Sequence, residues 1–249
     1  MLIPHPRGHY RFLQGIDPYS CGVIAATGYE IVHVTLAEPL PWRAGFDRVD
    51  ALLDERDRGR RALCAMELRS PAPFTMQGFR DFNAEYCGVL QAWDLYVDGQ
   101  NPIARTNVAP AHDPPTEPVL YAFSYVRPNA TAHRPTFVVA GAGELREGVL
   151  DAAGIIRAGD TSHPALCDKA AYVMQVMTDR LQGLGAAWED VRDVNVYTIH
   201  PLAGILEDVV LPQAVAARRR GVHWHVSRPP VVDIEYEMDL RGTVRDEVL

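Results

Sequence analysis

The 249-residue sequence has few cysteines, no long apolar run and no broad basic footprint. Cys21, Cys64, Cys87 and Cys167 form no C-x-x-C pair and sit in apolar or helical stretches, which argues for free thiols rather than disulfides or a metal site. No apolar stretch approaches the roughly 20 residues that span a bilayer. The opening Met-Leu-Ile-Pro-His-Pro-Arg lacks a basic-then-apolar leader pattern, so a cytoplasmic protein with no membrane partner is expected. The formal charge is −8, and basic residues are scattered apart from Arg218-Arg219-Arg220, which excludes a nucleic-acid binder as the leading reading. Gly141-Ala-Gly-Glu144 is too incomplete to be a phosphate loop, and no cofactor or metal is expected. What remains is ordinary for a globular chain, 47% hydrophobic and 22% charged, and long enough for one large domain or two small ones.

The apolar pattern repeats. In the C-terminal half, Thr136–Ala140 reads as a strand. Val173, Met177, Leu181 and Leu184 stripe a helix over Asp168–Leu184. Val194–Ile199 is a second strand, and Pro201–Arg219 holds a second helix that Pro212 interrupts. Val222–Val226 and Val231–Leu240 complete the set as strands. The N-terminal half shows the same order. Gly22–Leu36 is strand-rich, Ala44–Arg56 and Met76–Leu95 are helical, and Ala62–Leu68, Ile103–Val108 and Val119–Val126 are strands. The stretch 127–135, with two prolines and small polar residues, is a plausible linker, dividing the chain into 1–130 and 131–249. Two helices on one face of each sheet leave the other face to be covered by a second copy of the unit, so fusion of two units or oligomerisation is expected.

Short fragments carry a family resemblance. Gly15-Ile-Asp-Pro-Tyr-Ser20, Asn83-Ala-Glu-Tyr86 and Pro102-Ile-Ala-Arg-Thr106 occur in that order in the first half. Phe137-Val-Val-Ala-Gly141, Gly185-Ala-Ala-Trp-Glu-Asp-Val191 and Asp233-Ile-Glu-Tyr-Glu237 occur in the second. Together they resemble the reactive intermediate deaminase (Rid, YjgF) family. The resemblance implies an α+β fold of two fused Rid-like (chorismate-mutase-like) modules, each a mixed β-sheet with two helices packed on one face. It also implies a homotrimer.

The resemblance further implies a site. An arginine grips the substrate carboxylate, helped by a glycine amide, while a glutamate on the last strand positions the attacking water. The first half offers Arg105, Tyr19, Asn83 and Asn107 for substrate binding, but no carboxylate on its last strand, Val119–Phe123. The second half offers Gly141, with Glu235 and Arg220 as the catalytic pair, Arg219 being the alternative register. A pocket shared between the halves would hold all the parts. His223 and His225 share one side of a strand and are further substrate-facing candidates; a zinc pair would need a third ligand, and no matching cluster is evident. The physical logic is general: a guanidinium gives a bidentate, permanently charged grip on a carboxylate, and a positioned carboxyl moves protons.

The expected activity is hydrolytic deamination of a small carboxylated enamine or imine, aminoacrylate- or aminomuconate-like. Chorismatase-like hydrolysis of a carboxylated enol ether, or a non-catalytic small-carboxylate binder, are the alternatives.

Overall fold

The structure is a computed structural model that describes residues 1–131, 134–146, 149, 151–215 and 217–249. Its strands are β1 (Leu2–His5), β2 (Tyr10–Leu13), β3 (Gly22–Ala25), β4 (Tyr29–Pro41), β5 (Leu63–Arg69), β6 (Ala104–Pro110) and β7 (Val119–Pro128), followed by β8 (Phe137–Gly143), β9 (Asp193–Tyr197), β10 (His223–His225), β11 (Ser227–Arg228), β12 (Glu237–Arg241) and β13 (Asp246–Val248). The helices are α1 (Trp42–Glu55), α2 (Met76–Ala92), α3 (His163–Leu184), α4 (Ala203–Ile205), α5 (Leu211–Gln213) and α6 (Ala217–Arg220), with a π-helical turn at Leu206–Val210.

Among the described residues the strands form two mixed sheets, ordered β1-β2-β3-β8-β12-β9-β10 and β11-β6-β5-β7-β4-β13. The segments β8-β12-β9-β10 and β4-β7-β5-β6 share one pairing pattern, antiparallel, antiparallel, then parallel. Helices cover the outer face of each sheet. Val173, Met177 and Leu181 of α3 pack on Val139, Val196 and Met238 in one core. Phe46, Val49 and Leu53 of α1, with Phe82 and Tyr86 of α2, pack with Val34, Met66 and Phe123 in another. A third core joins the inner faces, with Phe12, Val23 and Ala140 from one sheet and Ile31, Ala65 and Ala104 from the other.

The expectation of two self-contained Rid-like modules is corrected. The chain is mixed α+β with two sheets, and each sheet takes strands from both halves. The hairpin β1–β2 and strand β3 extend the C-terminal sheet by covering the edge of β8, while β11 and β13 join the N-terminal sheet. An uncovered β8 would present unpaired backbone groups along its length, a cost that the exchanged strands remove. Among the described residues the second half also has no second regular helix. Pro212 and the π turn divide Ala203–Arg220 into short pieces. Ala132 and His133 of the expected linker, and Ala216 of the expected second helix, lie outside the described residues. No described helix is long and apolar enough to cross a membrane.

Candidate active site

The inner faces of the two sheets meet over polar side chains as well as apolar ones. Thr106 Oγ1 of β6 donates to Asp239 Oδ2 of β12 at 2.8 Å, and Arg241 pairs with Glu67 of β5. Alternation along a strand puts Glu237, Asp239 and Arg241 on one face, so β12 carries a row of ionisable side chains, buried or nearly so, between the sheets. Asp239 also accepts from Asn195 Nδ2 at 2.7 Å and Tyr197 Oη at 2.8 Å. The row is thereby locked into register with β6 and β9.

Where β6 begins, its outer edge has no strand neighbour; β11 pairs with it only at Ala109 and Pro110. The segment Gly15–Ser20 docks there through Ser20 N–H and Ile103 O at 2.8 Å. A pocket of about 490 Å³ opens between this edge, the end of β8, the start of β12 and α3. Arg105, Asn107 and Tyr19 reach it from the first half, and Gly141, Arg180 and Glu237 from the second.

Arg105 is 3% exposed. Asn83 Oδ1 of α2 accepts from its Nη2 at 2.8 Å, and the rings of Tyr86 and Tyr19 lie 4.8 and 5.4 Å from its guanidinium carbon. Its Nη1 is buried and has no hydrogen-bond partner among the described residues. Asn107 repeats this state. Its Oδ1 accepts from Ser70 Oγ at 3.0 Å, while Nδ2 is buried without a described partner. Two such donors, from residues on one pocket wall, make a candidate cradle for an anion, because a buried orphan donor costs about 1–3 kcal/mol until something accepts from it. Burial pulls the Arg105 pKa down, with Tyr86, Tyr19 and Glu237 pulling it back up. A guanidinium stays charged regardless.

Glu237 faces this cradle from the other half. Burial pushes its carboxyl well above the ordinary glutamate value of 4.5, with Asp239 and Glu144 adding to the rise and Arg105 and Arg180 opposing it. Gly141 makes the space: a Cβ at that position would fall on Glu237 Oε1 and crowd Thr106 Oγ1. Arg180 of α3 is anchored by donating from Nη1 to the Ala140 carbonyl at 3.0 Å.

The other sequence candidates lie outside this pocket. Glu235 accepts from His200 Nε2 at 2.8 Å and lies 3.6 Å from Arg228 Nη1. The strand expected over Val231–Leu240 starts only at Glu237, and the preceding chain curls, with Asp233 at φ 72°. The carboxyl of this segment that lines the pocket is Glu237, two residues further on. Arg220 and Arg219 are exposed at the end of α6, where Gly221 (φ 86°) turns the chain into β10. The expected carboxylate-binding arginine thus lies at a solvated helix end. His223 and His225 hold Asn195 Oδ1 at 3.2 and 3.3 Å on the edge strand β10, and His225 stacks on Tyr197. Burial pulls the His225 pKa down to about 4. Asn83 touches Arg105 and so orients it. Arg180 lies outside every motif of the sequence, and Glu237 ends the last of them beside the expected Glu235. A signal for Arg180 was present: an arginine beside Met177 and Leu181, inside the apolar stripe of α3. Away from the pocket, His163 Nε2 lies 3.6 Å from Cys167 Sγ and 3.9 Å from Asp208 Oδ2, a partly exposed trio of metal-ligand type.

A pocket that sets a buried arginine and asparagine against a buried carboxyl is of the kind that takes small acidic molecules. Residues 2–247 match the family described as 2-aminomuconate deaminase CnbZ, and the chain belongs to that family. It is 40% identical over 244 residues to a 2-amino-5-chloromuconate deaminase of Comamonas testosteroni, covering 97% of this chain and 96% of the relative. Among solved structures, a chorismatase aligns at TM-score 0.48 with 15% identity, covering 89% of this chain and 77% of that one. A cyanuric acid hydrolase aligns at 0.44 with 11% identity, covering 87% and 69%. The chain is thus an enzyme, a deaminase acting on a C–N bond; the CnbZ family stands in place of the Rid family that the short motifs resembled.

Proposed function

We propose that the enzyme hydrolyses a 2-aminomuconate-type dienamine, releasing ammonia, in the pocket between the halves. The observation that carries this reading is the pair of buried, unsatisfied donors, Arg105 Nη1 and Asn107 Nδ2, facing a buried carboxyl, Glu237. Arg105 and Asn107 hold the carboxylate next to the amino-bearing carbon, and the charge-assisted bonds they form are the strong ones. Glu237, its carboxyl raised in pKa by burial, gives its proton to the chain carbon of the enamine and turns C–NH₂ into an iminium, C=NH₂⁺. Water then adds to the iminium carbon, a proton passes from the added water to nitrogen by way of the Glu237 carboxylate, and the carbon–nitrogen bond breaks. Ammonia and a 2-oxo acid leave, and Glu237 recovers its proton from the remaining hydroxyl. Atoms balance with one water consumed.

The apolar side of the pocket, with Ile16, Phe79, Val176 and Ile234, suits an unsaturated carbon chain and its substituents. Membership of a deaminase family favours this chemistry over enol-ether hydrolysis or passive binding. We also propose that the enzyme is cytoplasmic and works as a homotrimer, with Trp224, 46% exposed on the edge strand β10, as the contact to test. The direct test of the reaction is ammonia release from 2-aminomuconate, generated in situ and followed alongside loss of its ultraviolet absorbance. Stoichiometric ammonia that Arg105→Ala abolishes at low substrate is the expected result. Absence of ammonia at saturating substrate overturns the reading.

A further inference from the structure

The sequence has one lysine, Lys169, among its 24 basic residues of the Lys and Arg type. It sits in α3, and its side chain is 0% exposed. Its ammonium donates to Glu144 Oε1 at 3.0 Å and to the Ile156 carbonyl at 2.8 Å. The Glu144 side chain is likewise 0% exposed. Isolated buried ions are costly, and a buried pair is weak grounds for stability by itself, so the remaining contacts of Glu144 carry the meaning. Its Oε1 accepts the backbone N–H of Glu235 at 2.7 Å, and its Oε2 accepts that of Tyr236 at 2.9 Å. Those two residues are the last before β12, and the next side chain is Glu237.

Glu144 itself follows directly on β8, whose Gly141 and Gly143 line the pocket, and Lys169 belongs to the helix that supplies Arg180. One buried pair therefore ties together three walls of the pocket at the point where β12 delivers its carboxyl. Apolar residues would fill the same space, but they would leave the N–H groups of Glu235 and Tyr236 without acceptors.

We propose that the Glu144–Lys169 pair positions Glu237: the Glu144 carboxylate fixes the backbone on which Glu237 is mounted, and Lys169 holds that carboxylate in place. This rests on the assignment of Glu237 as the proton donor. Neither residue lines the pocket, so the pair acts through Glu237 and leaves substrate binding to Arg105 and Asn107. Glu144 also adds to the upward shift of the Glu237 carboxyl, while burial raises its own pKa and Lys169 opposes that rise.

Two variants test it, with ammonia release from 2-aminomuconate as the assay. Glu144→Asp keeps the charge and withdraws the oxygens by one methylene. Glu144→Gln with Lys169→Met removes both charges and keeps one acceptor oxygen. Each is expected to lower kcat about 10- to 100-fold with KM within about twofold of the parent, as a misplacement near 1 Å does. A purely structural role would not lower kcat selectively. Unchanged kcat in a folded variant, or kcat and KM deteriorating together with Tm, overturns the proposal. If one variant fails to fold by circular dichroism, the other decides. Glu237→Gln separates the two ideas. If it retains full kcat, the reading of Glu237 fails; if it is impaired while both Glu144 variants are normal, only the positioning role fails.

Discussion

Arg105 shows how one side chain is prepared for a ligand. Asn83 takes one of its terminal nitrogens, three aromatic rings surround it, and the other terminal nitrogen is buried without a described partner. Truncation to alanine removes a charged contact worth a few kcal/mol, so kcat/KM should fall about 100-fold, chiefly through KM. Asn107→Ala removes a neutral donor and should cost nearer 10-fold. Steady-state kinetics on the aminomuconate substrate check both, and equal effects of the two changes would contradict the charge argument. Glu237 makes a pH prediction. Its folded pKa is raised, so the folded state holds a proton that the unfolded chain releases above about 4.5. Stability is therefore lost as pH rises from that value until the folded pKa is passed. Glu237→Gln has no such dependence and should raise Tm relative to the parent by an increment that grows with pH. Thermal unfolding at pH 5, 7 and 9 measures this, and an increment that shrinks with pH would contradict it.

At the scale of elements, the sequence showed more than it placed. Apolar stripes located α2 at Met76 and most of α3, because a 3.6-residue period survives without knowledge of neighbours. Arg105, Asn107, Tyr19 and Gly141 were legible as pocket candidates from short motifs. Glu237 was not separable from Glu235, since both occupy the same parity on an expected strand and only the turn at Asp233 distinguishes them. The exchange of β1–β3, β11 and β13 between sheets was also invisible, because pairing partners distant in sequence leave no local period. Gly141 links element to site. Its φ is unexceptional, so Gly141→Ala is not strained by backbone conformation; the added methyl instead displaces the Glu237 carboxyl. The expected result is a loss of kcat of at least 10-fold with Tm lowered by a few degrees. Wild-type turnover in Gly141→Ala would mean that the carboxyl does not sit where catalysis needs it.

For the whole molecule, the two sheets share one buried polar layer, and the pocket lies at its margin, where neither half alone supplies both cradle and carboxyl. Assembly into a trimer predicts a sedimentation mass near three times 27.6 kDa at micromolar concentration. A mass of one chain would contradict it. Trp224→Ser should weaken assembly while leaving the pocket intact, because Trp224 does not line it. The burial of Lys169 has a consequence for chemistry at the surface. Every other basic side chain of the Lys and Arg type in this sequence is an arginine, so no lysine amine faces solvent. A deaminase of this kind discharges carbonyl compounds, which condense with free alkylamines. The folded enzyme offers its own product no lysine on which to form an adduct, and reagents directed at lysine amines should label it fully only after unfolding.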